Sequence, residues 1–205
     1  MSTPPVRLAA ALCALGAFVL PAHLVGQSST TRGLSLGFAL EGASLSVEGG
    51  DPSGGGGAGL RVGYGFNRIV TVFFGVDGNA IDVQDEDAPN GDWKMAHVDL
   101  GARFHFANTL RSWVPYLEAA LTARAVSLAD AVVGNQTVGD LSFNGGAFTA
   151  GGGIAFYFSE AVALDVELLV SAGEFTSISV DAGTLNIPDI DAASSRLRLG
   201  LNWWP

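Results

Sequence analysis

The chain has 205 residues, enough for one domain or two small ones, and is 48% hydrophobic but only 15% charged, with 28 glycines. A water-soluble domain carries about 25% charged residues, and this chain has a single lysine, Lys94, so much of its surface is not built to face water. A formal net charge of −10 excludes nucleic acid, which needs clustered cations, and the only cysteine, Cys13, leaves the rest of the chain without a thiol, disulfide or Cys-ligated metal.

The N-terminus has the order of a secretory signal: Arg7, an apolar run over 8–20, a break at Pro21 and small residues ending near Gly26-Gln27. The run is too short to span a bilayer as a helix. Residues 1–27 are therefore expected to be removed on export, leaving one domain over 28–205. No later stretch approaches a membrane helix, so a membrane-embedded mature chain would cross as strands.

Eight stretches then alternate with period two, the signature of strands with two different faces. The first sets Leu34, Leu36, Phe38 and Leu40 against Ser35, Gly37, Ala39 and Glu41; the second sets Leu60, Val62, Tyr64 and Phe66 against Arg61, Gly63 and Gly65. The third sets Val70, Val72, Phe74 and Val76 against Thr71, Phe73, Gly75 and Asp77. The fourth is the clearest, with Val98, Leu100, Ala102, Phe104 and Phe106 against His97, Asp99, Gly101, Arg103 and His105. The fifth carries Tyr116, Glu118, Thr122 and Arg124 on its polar face, and the sixth sets Phe148, Ala150, Ile154, Phe156 and Phe158 against Thr149, Gly151, Gly153 and Tyr157. The seventh sets Val162, Leu164, Val166, Leu168 and Val170 against Asp165, Glu167 and Ser171, and the eighth sets Leu197, Leu199, Leu201 and Trp203 against Arg196, Arg198, Gly200 and Asn202.

The connections alternate in length. Three are short, at 67–68, through Asn108 and Ser112, and at 159–161. Four are expected to be long, mobile loops, over 43–56, 80–94, 127–145 and 174–192, with the run SGGGG at 53–57 as a flexible loop. An even strand number with short turns at one rim and long loops at the other predicts an all-β, eight-stranded antiparallel up-and-down transmembrane barrel.

Alternation does not say which face is inside. A soluble barrel would turn its apolar face inward. Three features predict the reverse. The polar face is built mainly from small residues, which suit a narrow lumen. Its charges nearly balance, with Glu41, Asp77, Asp99, Glu118, Asp165 and Glu167 against Arg61, Arg103, Arg124, Arg196 and Arg198, as charges withdrawn from water must. Neighbouring strands offer Arg103 to Glu118, and Arg196 or Arg198 to Asp165 or Glu167. Finally, Phe66, Phe106, Phe158 and Trp203 close the four even strands and Trp113 opens the fifth, placing an aromatic girdle on one rim. Most remaining acids fall in the long connections. The group Asp82, Asp85, Glu86, Asp87 and Asp92 lacks ordered metal-ligand spacing and reads as a solvated acidic loop.

The phrases HVDLGARFHF (97–106), VPYLEAAL (114–121), VALDVEL (162–168) and RLRLGLNWWP (196–205) resemble those of small outer-membrane β-barrels of the OmpA/OmpX/OmpW-like kind, over residues 33–205. The resemblance implies an outer-membrane location, lipid and lipopolysaccharide as surroundings, and a last strand read by the barrel-insertion machinery through Arg198, Gly200 and Trp203. Pro205 departs from the family habit of ending in an aromatic residue. The leading expectation is a monomeric structural or surface-interaction barrel with a closed or very narrow lumen and acidic extracellular loops, without cofactor or metal. The alternatives are a narrow passive channel for small or apolar solutes, a lipid A-modifying barrel enzyme using His97 or His105, and a secreted soluble barrel. Neither histidine has a serine two residues on.

Overall fold

In a computed structural model the described residues are 31–48, 51–83, 92–106, 112–133, 136–180 and 183–205, with side chains at 130–139 excepted. The segment read as an export signal lies outside them, as do Asp85, Glu86 and Asp87. Eight strands run in chain order: β1 (Gly33–Val47), β2 (Ser53–Gly65), β3 (Val70–Asp82), β4 (Asp92–His105), β5 (Trp113–Val133), β6 (Gln136–Tyr157), β7 (Val162–Val180) and β8 (Gly183–Trp203). Each pairs antiparallel with the next, and β8 closes on β1 through Leu36↔Trp203 to Val47↔Ala192, so the sheet is a closed up-and-down barrel.

The short turns are set by local chemistry. At β2–β3 the Asn67 side-chain oxygen accepts from the Ile69 and Val70 backbone N–H groups at 2.7 and 2.8 Å. At β6–β7 the Ser159 hydroxyl accepts from the Ala161 N–H at 3.3 Å, and the Phe158 N–H reaches the Val162 carbonyl at 3.0 Å. These turns share one rim with both strand termini.

The opposite rim corrects the sequence reading. Three of the four expected long loops, 43–56, 127–145 and 174–192, are largely strand, while of 80–94 only the ends are. β1 runs to Val47 and β2 begins at Ser53, so the SGGGG run is paired backbone, with Ser44↔Gly54 and Gly42↔Gly56. β5 and β6 continue to Val133 and from Gln136, and β7 and β8 to Val180 and from Gly183. The acids Asp82, Asp92, Asp140, Glu174, Asp189 and Asp191 therefore sit on strand backbone rather than in loops.

The strands outlast their hydrophobic signal because the barrel changes character along its axis. Over the half nearer the termini, large apolar side chains point outward, from Leu34, Leu36, Phe38 and Leu40 on β1 to Leu197, Leu199, Leu201 and Trp203 on β8. Phe73 and Tyr157, placed on the polar face by parity, are buried inside. Beyond Glu41, β1 continues with Gly42, Ser44 and Ser46 outside and Ala43, Leu45 and Val47 inside. β4 does the same, with Lys94 and Ala96 outside and Met95 and Trp93 inside. Parity holds along β1 and β4 while the chemistry of the two faces exchanges; register shifts interrupt the pairing of β5–β6, β6–β7 and β7–β8 in the outer half. One half is greasy outside and ionic inside. The other is built like a soluble barrel, with an apolar core and a polar exterior.

Candidate functional site

The barrel interior holds the densest chemistry in the molecule, and it is layered. At the terminal rim, Val114, Tyr116, Ala155, Tyr157, Ala163 and Trp204 form a buried apolar floor. Trp204 packs on Tyr157 with ring centroids 5.5 Å apart, and its backbone N–H donates to the Ala161 carbonyl at 2.8 Å. Adjacent tryptophans thus take opposite sides: Trp203 faces out and Trp204 is buried inside the barrel.

Above the floor lies an ionic layer fed by six strands. Arg61 on β2 reaches across the lumen to Glu118 on β5 through both terminal nitrogens, at 3.1 and 3.0 Å, and to Glu167 at 3.2 Å. Arg103 on β4 donates to Glu118 at 3.0 Å, Asp165 at 2.7 Å and Glu167 at 3.0 Å. Asn202 donates to Asp165 as well. Arg61 also stacks 4.2 Å from the Phe73 ring centre and Arg103 3.8 Å from that of Tyr116. Gly101 and Gly153 make room for these rings: a Cβ would stand 2.7 Å from the Phe73 ring edge at the first and 2.7 Å from the Tyr116 hydroxyl at the second. Arg198 bridges upward, 3.2 Å from Glu41 and 3.6 Å from Glu167.

The next layer is mixed. Arg196 binds Asp77 and, at 3.0 Å, Asp99. Asn79 donates to Glu41 at 2.8 Å. A hydroxyl chain runs across three strand boundaries, from Asp99 to Thr122 at 2.6 Å, Thr122 to Thr149 at 2.5 Å and Thr149 to Ser171 at 2.7 Å. Above it an apolar cap of Ala43, Leu45, Ile81, Met95, Val126, Phe175 and Ala192 fills the section, with Val47, Trp93, Phe143 and Ile190 packed on it.

Glu41, Arg61, Asp77, Asp99, Arg103, Glu118, Arg124, Asp165, Glu167, Arg196 and Arg198 are thus all buried inside the barrel. Their pairing is not the one neighbouring strands suggested throughout. Arg103 does meet Glu118 and Arg198 does meet Glu167, but Arg196 turns away from β7 to the carboxylates of β3 and β4. Arg124 is the exception. Its guanidinium has no ion pair among the described residues; it donates to the Ala192 carbonyl at 3.2 Å and lies 4.6 Å from the Phe175 ring centre. Phe66, Phe106, Trp113, Phe158 and Trp203 stand exposed on the outer wall at the terminal rim. Trp204 and the cap escaped the sequence reading. The signal was there, since the inward parity of Glu41 continues through Ala43 to Leu45, but the pattern lost its polar side and read as loop.

The histidines part company. His105 lies 3.3 Å from the Thr71 hydroxyl. His97 stands between Asp77 at 2.9 Å and the Ser194 hydroxyl at 3.3 Å, the order of a nucleophile, base and orienting acid. Acyl transfer also needs donors aimed at a developing oxyanion. Here Ser194 is paired to Ser171 on one side and Leu45 on the other, which commits the neighbouring backbone to the sheet, and Ser194 is buried between the ionic layer and the cap. The constellation is a hydrogen-bond link across β3, β4 and β8.

Outside the ionic layer the wall is a continuous apolar belt, reaching 69% exposure at Leu121 and 63% at Leu100. A soluble monomer does not present such a surface. Among solved structures, the barrel is similar to Neisserial surface protein A, NspA, with 18% identity, coverage of 84% of this chain and 97% of that one, and a TM-score of 0.62. It is similar to OprG of Pseudomonas aeruginosa, with 12% identity, coverage of 88% and 98%, and a TM-score of 0.55. It is also similar to Ail, the attachment invasion locus protein of Yersinia pestis, with 15% identity, coverage of 84% and 100%, and a TM-score of 0.53; Ail has also been solved with the heparin analogue sucrose octasulfate. No curated protein matches the chain. The family model described as outer membrane protein beta-barrel domain matches residues 9–202. The chain therefore belongs to the outer-membrane β-barrel protein family, and its apolar belt faces the lipid of a Gram-negative outer membrane.

Proposed function

We propose that the protein is a monomeric, non-conducting barrel that serves the envelope through its outer end, as a structural and surface-interaction element, and not through its bore or by catalysis. The observation that carries this reading is the stacking of floor, ionic layer and cap, each filling the bore with side chains. Eight strands leave an interior just wide enough for such filling.

In this reading residues 1–27 direct export, and Arg198, Gly200 and Trp203 on the last strand are read by the barrel-insertion machinery. Phe66, Phe106, Trp113, Phe158 and Trp203 form the girdle at the periplasmic boundary. The outer end carries Glu48, Asp51, Asp82, Asp92, Asp140, Glu174, Asp189 and Asp191, all exposed, so divalent ions would join it to lipopolysaccharide phosphates. Its sign is opposite to what a polyanion such as sucrose octasulfate would favour.

Planar-bilayer recording tests the closed bore. The refolded protein is expected to give no discrete current steps at 100 mV (about 2.3 kcal/mol per elementary charge), and Trp204→Ala alone is expected to stay silent because two layers remain. Discrete openings in the unmodified protein would replace this reading with the narrow channel. Steady hydrolysis of lipid A acyl chains, lost in Ser194→Ala, would replace it with the enzyme.

A further inference from the structure

Most of the chain's positive charge is spent inside the barrel. Of its 10 lysines and arginines, Arg61, Arg103, Arg124, Arg196 and Arg198 are buried in the lumen, and Arg7 and Arg111 lie outside the described residues. The described cations left on the surface are Arg32, Arg68 and Lys94, all exposed. Lys94 is on β4 toward the acidic outer end. Arg32 and Arg68 are both at the terminal rim, one just before β1 and the other in the β2–β3 turn.

The fold brings these two arginines into one sector. Gly33 pairs with Gly65 and has a φ of +87°, which turns residues 31–32 onto the end of β2. A Cβ on Gly65 would stand 3.1 Å from the Arg32 Cα, so the backbone at Arg32 lies against that glycine. Arg68 follows Gly65 by three residues, in the turn that the Asn67 side chain holds through the Ile69 and Val70 N–H groups. The ion pairs of the described residues all involve Arg61, His97, Arg103, Arg196 or Arg198, so neither Arg32 nor Arg68 has a carboxylate partner among them. Glu160, the acidic side chain described at this rim, is in the β6–β7 turn across the barrel.

The wall beside them is apolar. Tyr64, Phe66 and Ile69 are exposed, and Leu34 stands next to Tyr64 in register. The Tyr64 and Phe66 rings meet edge to face with centroids 5.4 Å apart. These side chains carry the lipid-facing belt down to its aromatic end, the depth at which acyl chains give way to headgroups. A guanidinium offers phosphate paired N–H donors and keeps its charge. Two guanidiniums without carboxylate partners at the end of an apolar wall suit a ligand that is phosphate at one end and hydrocarbon at the other.

We propose that the β1–β3 sector of the terminal rim binds one anionic phospholipid, with its phosphate between Arg32 and Arg68 and its acyl chains along Leu34, Tyr64 and Phe66. Charge places the headgroup, and continuity with the lipid-facing belt places the chains. A zwitterionic headgroup would bring its own cation up against the two arginines, so the site selects a lipid of net negative charge. The site is at the opposite end from the acidic surface and does not depend on a closed bore.

The test uses the full barrel in detergent micelles holding equal amounts of dioleoyl phosphatidylglycerol and dioleoyl phosphatidylcholine, read by native mass spectrometry. The unmodified protein is expected to keep one phosphatidylglycerol several-fold more often than one phosphatidylcholine. Arg32→Gln with Arg68→Gln is expected to remove that preference and Lys94→Gln to leave it in place, with heat-modifiable gel mobility showing that each variant is folded. A phosphatidylglycerol with a photoreactive acyl chain is expected to label residues 62–70 more than the β5–β6 wall. Equal retention of the two lipids, a preference that survives the double substitution, an equal loss in Lys94→Gln, or labelling spread evenly around the belt would each overturn the proposal. Release of the lipid by millimolar inorganic phosphate would mark a free-phosphate site and overturn it as well. All of these outcomes leave the bilayer recordings, and so the closed bore, untouched.

Discussion

Single residues inside this barrel are held in unequal states of compensation. Arg103 is surrounded by Glu118, Asp165 and Glu167 and stacked on Tyr116. Removing it leaves Asp165 without an ion pair among the described residues and takes one cation each from Glu118 and Glu167, and breaking a buried pair costs about 3–5 kcal/mol. Arg103→Met is expected to lower unfolding stability by at least that much in urea titrations of the lipid-inserted protein. Arg124 is the opposite case. It is 2% exposed, without an ion pair among the described residues, and rests on Phe175 and one carbonyl. An apolar side chain of similar length keeps the ring contact and removes the desolvation cost. Arg124→Met is therefore expected to be neutral or to stabilise by about 1–2 kcal/mol in the same titration. A loss comparable to that of Arg103→Met would show that Arg124 is paired after all.

At the scale of the element, each strand carries two chemistries in series. On β4 the outward row passes from Phe104, Leu100 and Val98 to Ala96 and Lys94, while the inward row passes from Arg103 and Asp99 to Met95 and Trp93. The crossover marks where lipid gives way to water, because an outward apolar side chain is favourable only against lipid. Beyond it the strands are held by ordinary core packing. Phe175→Ala at the centre of the cap is expected to cost about 3–5 kcal/mol. It is also expected to speed exchange of the β7–β8 hairpin amides while the lipid-embedded half stays protected. In the lipid half the outer face sets the limit: Leu121→Arg on β5 is expected to destabilise by about 2–4 kcal/mol, read from the same urea midpoint in thin and thick bilayers.

For the whole molecule, closure is the organising fact. An open sheet of these strands would expose two edges in lipid, where each unpaired backbone group costs several kcal/mol. β8 returning to β1 removes both edges within the membrane; among the described residues, β8 above Val47 and β5 above Asp92 pair on one side only. The same closure brings β2 opposite β5, and so Arg61 to Glu118 across the bore. The narrow bore also lets one carboxylate meet cations from several strands: Glu118 takes Arg61 and Arg103, and Glu167 takes Arg61, Arg103 and Arg198.

The sequence by itself determined the eight strands, the parity of the side chains in their lipid-facing halves and the inversion that puts Leu100 outside and Asp99 inside. It could do so because alternation is a local property with a period of two residues, and the apolar rows are too long and too large for the lumen. The tertiary structure alone decided where the strands stop, which carboxylate each arginine takes, and that Trp204 joins one buried apolar cluster and Met95 and Phe175 the other. Those depend on register and on contacts between strands distant in the chain. A strand whose outer face lies in water and whose inner face lies in an apolar cap reads, residue by residue, like a loop until its neighbours are in place.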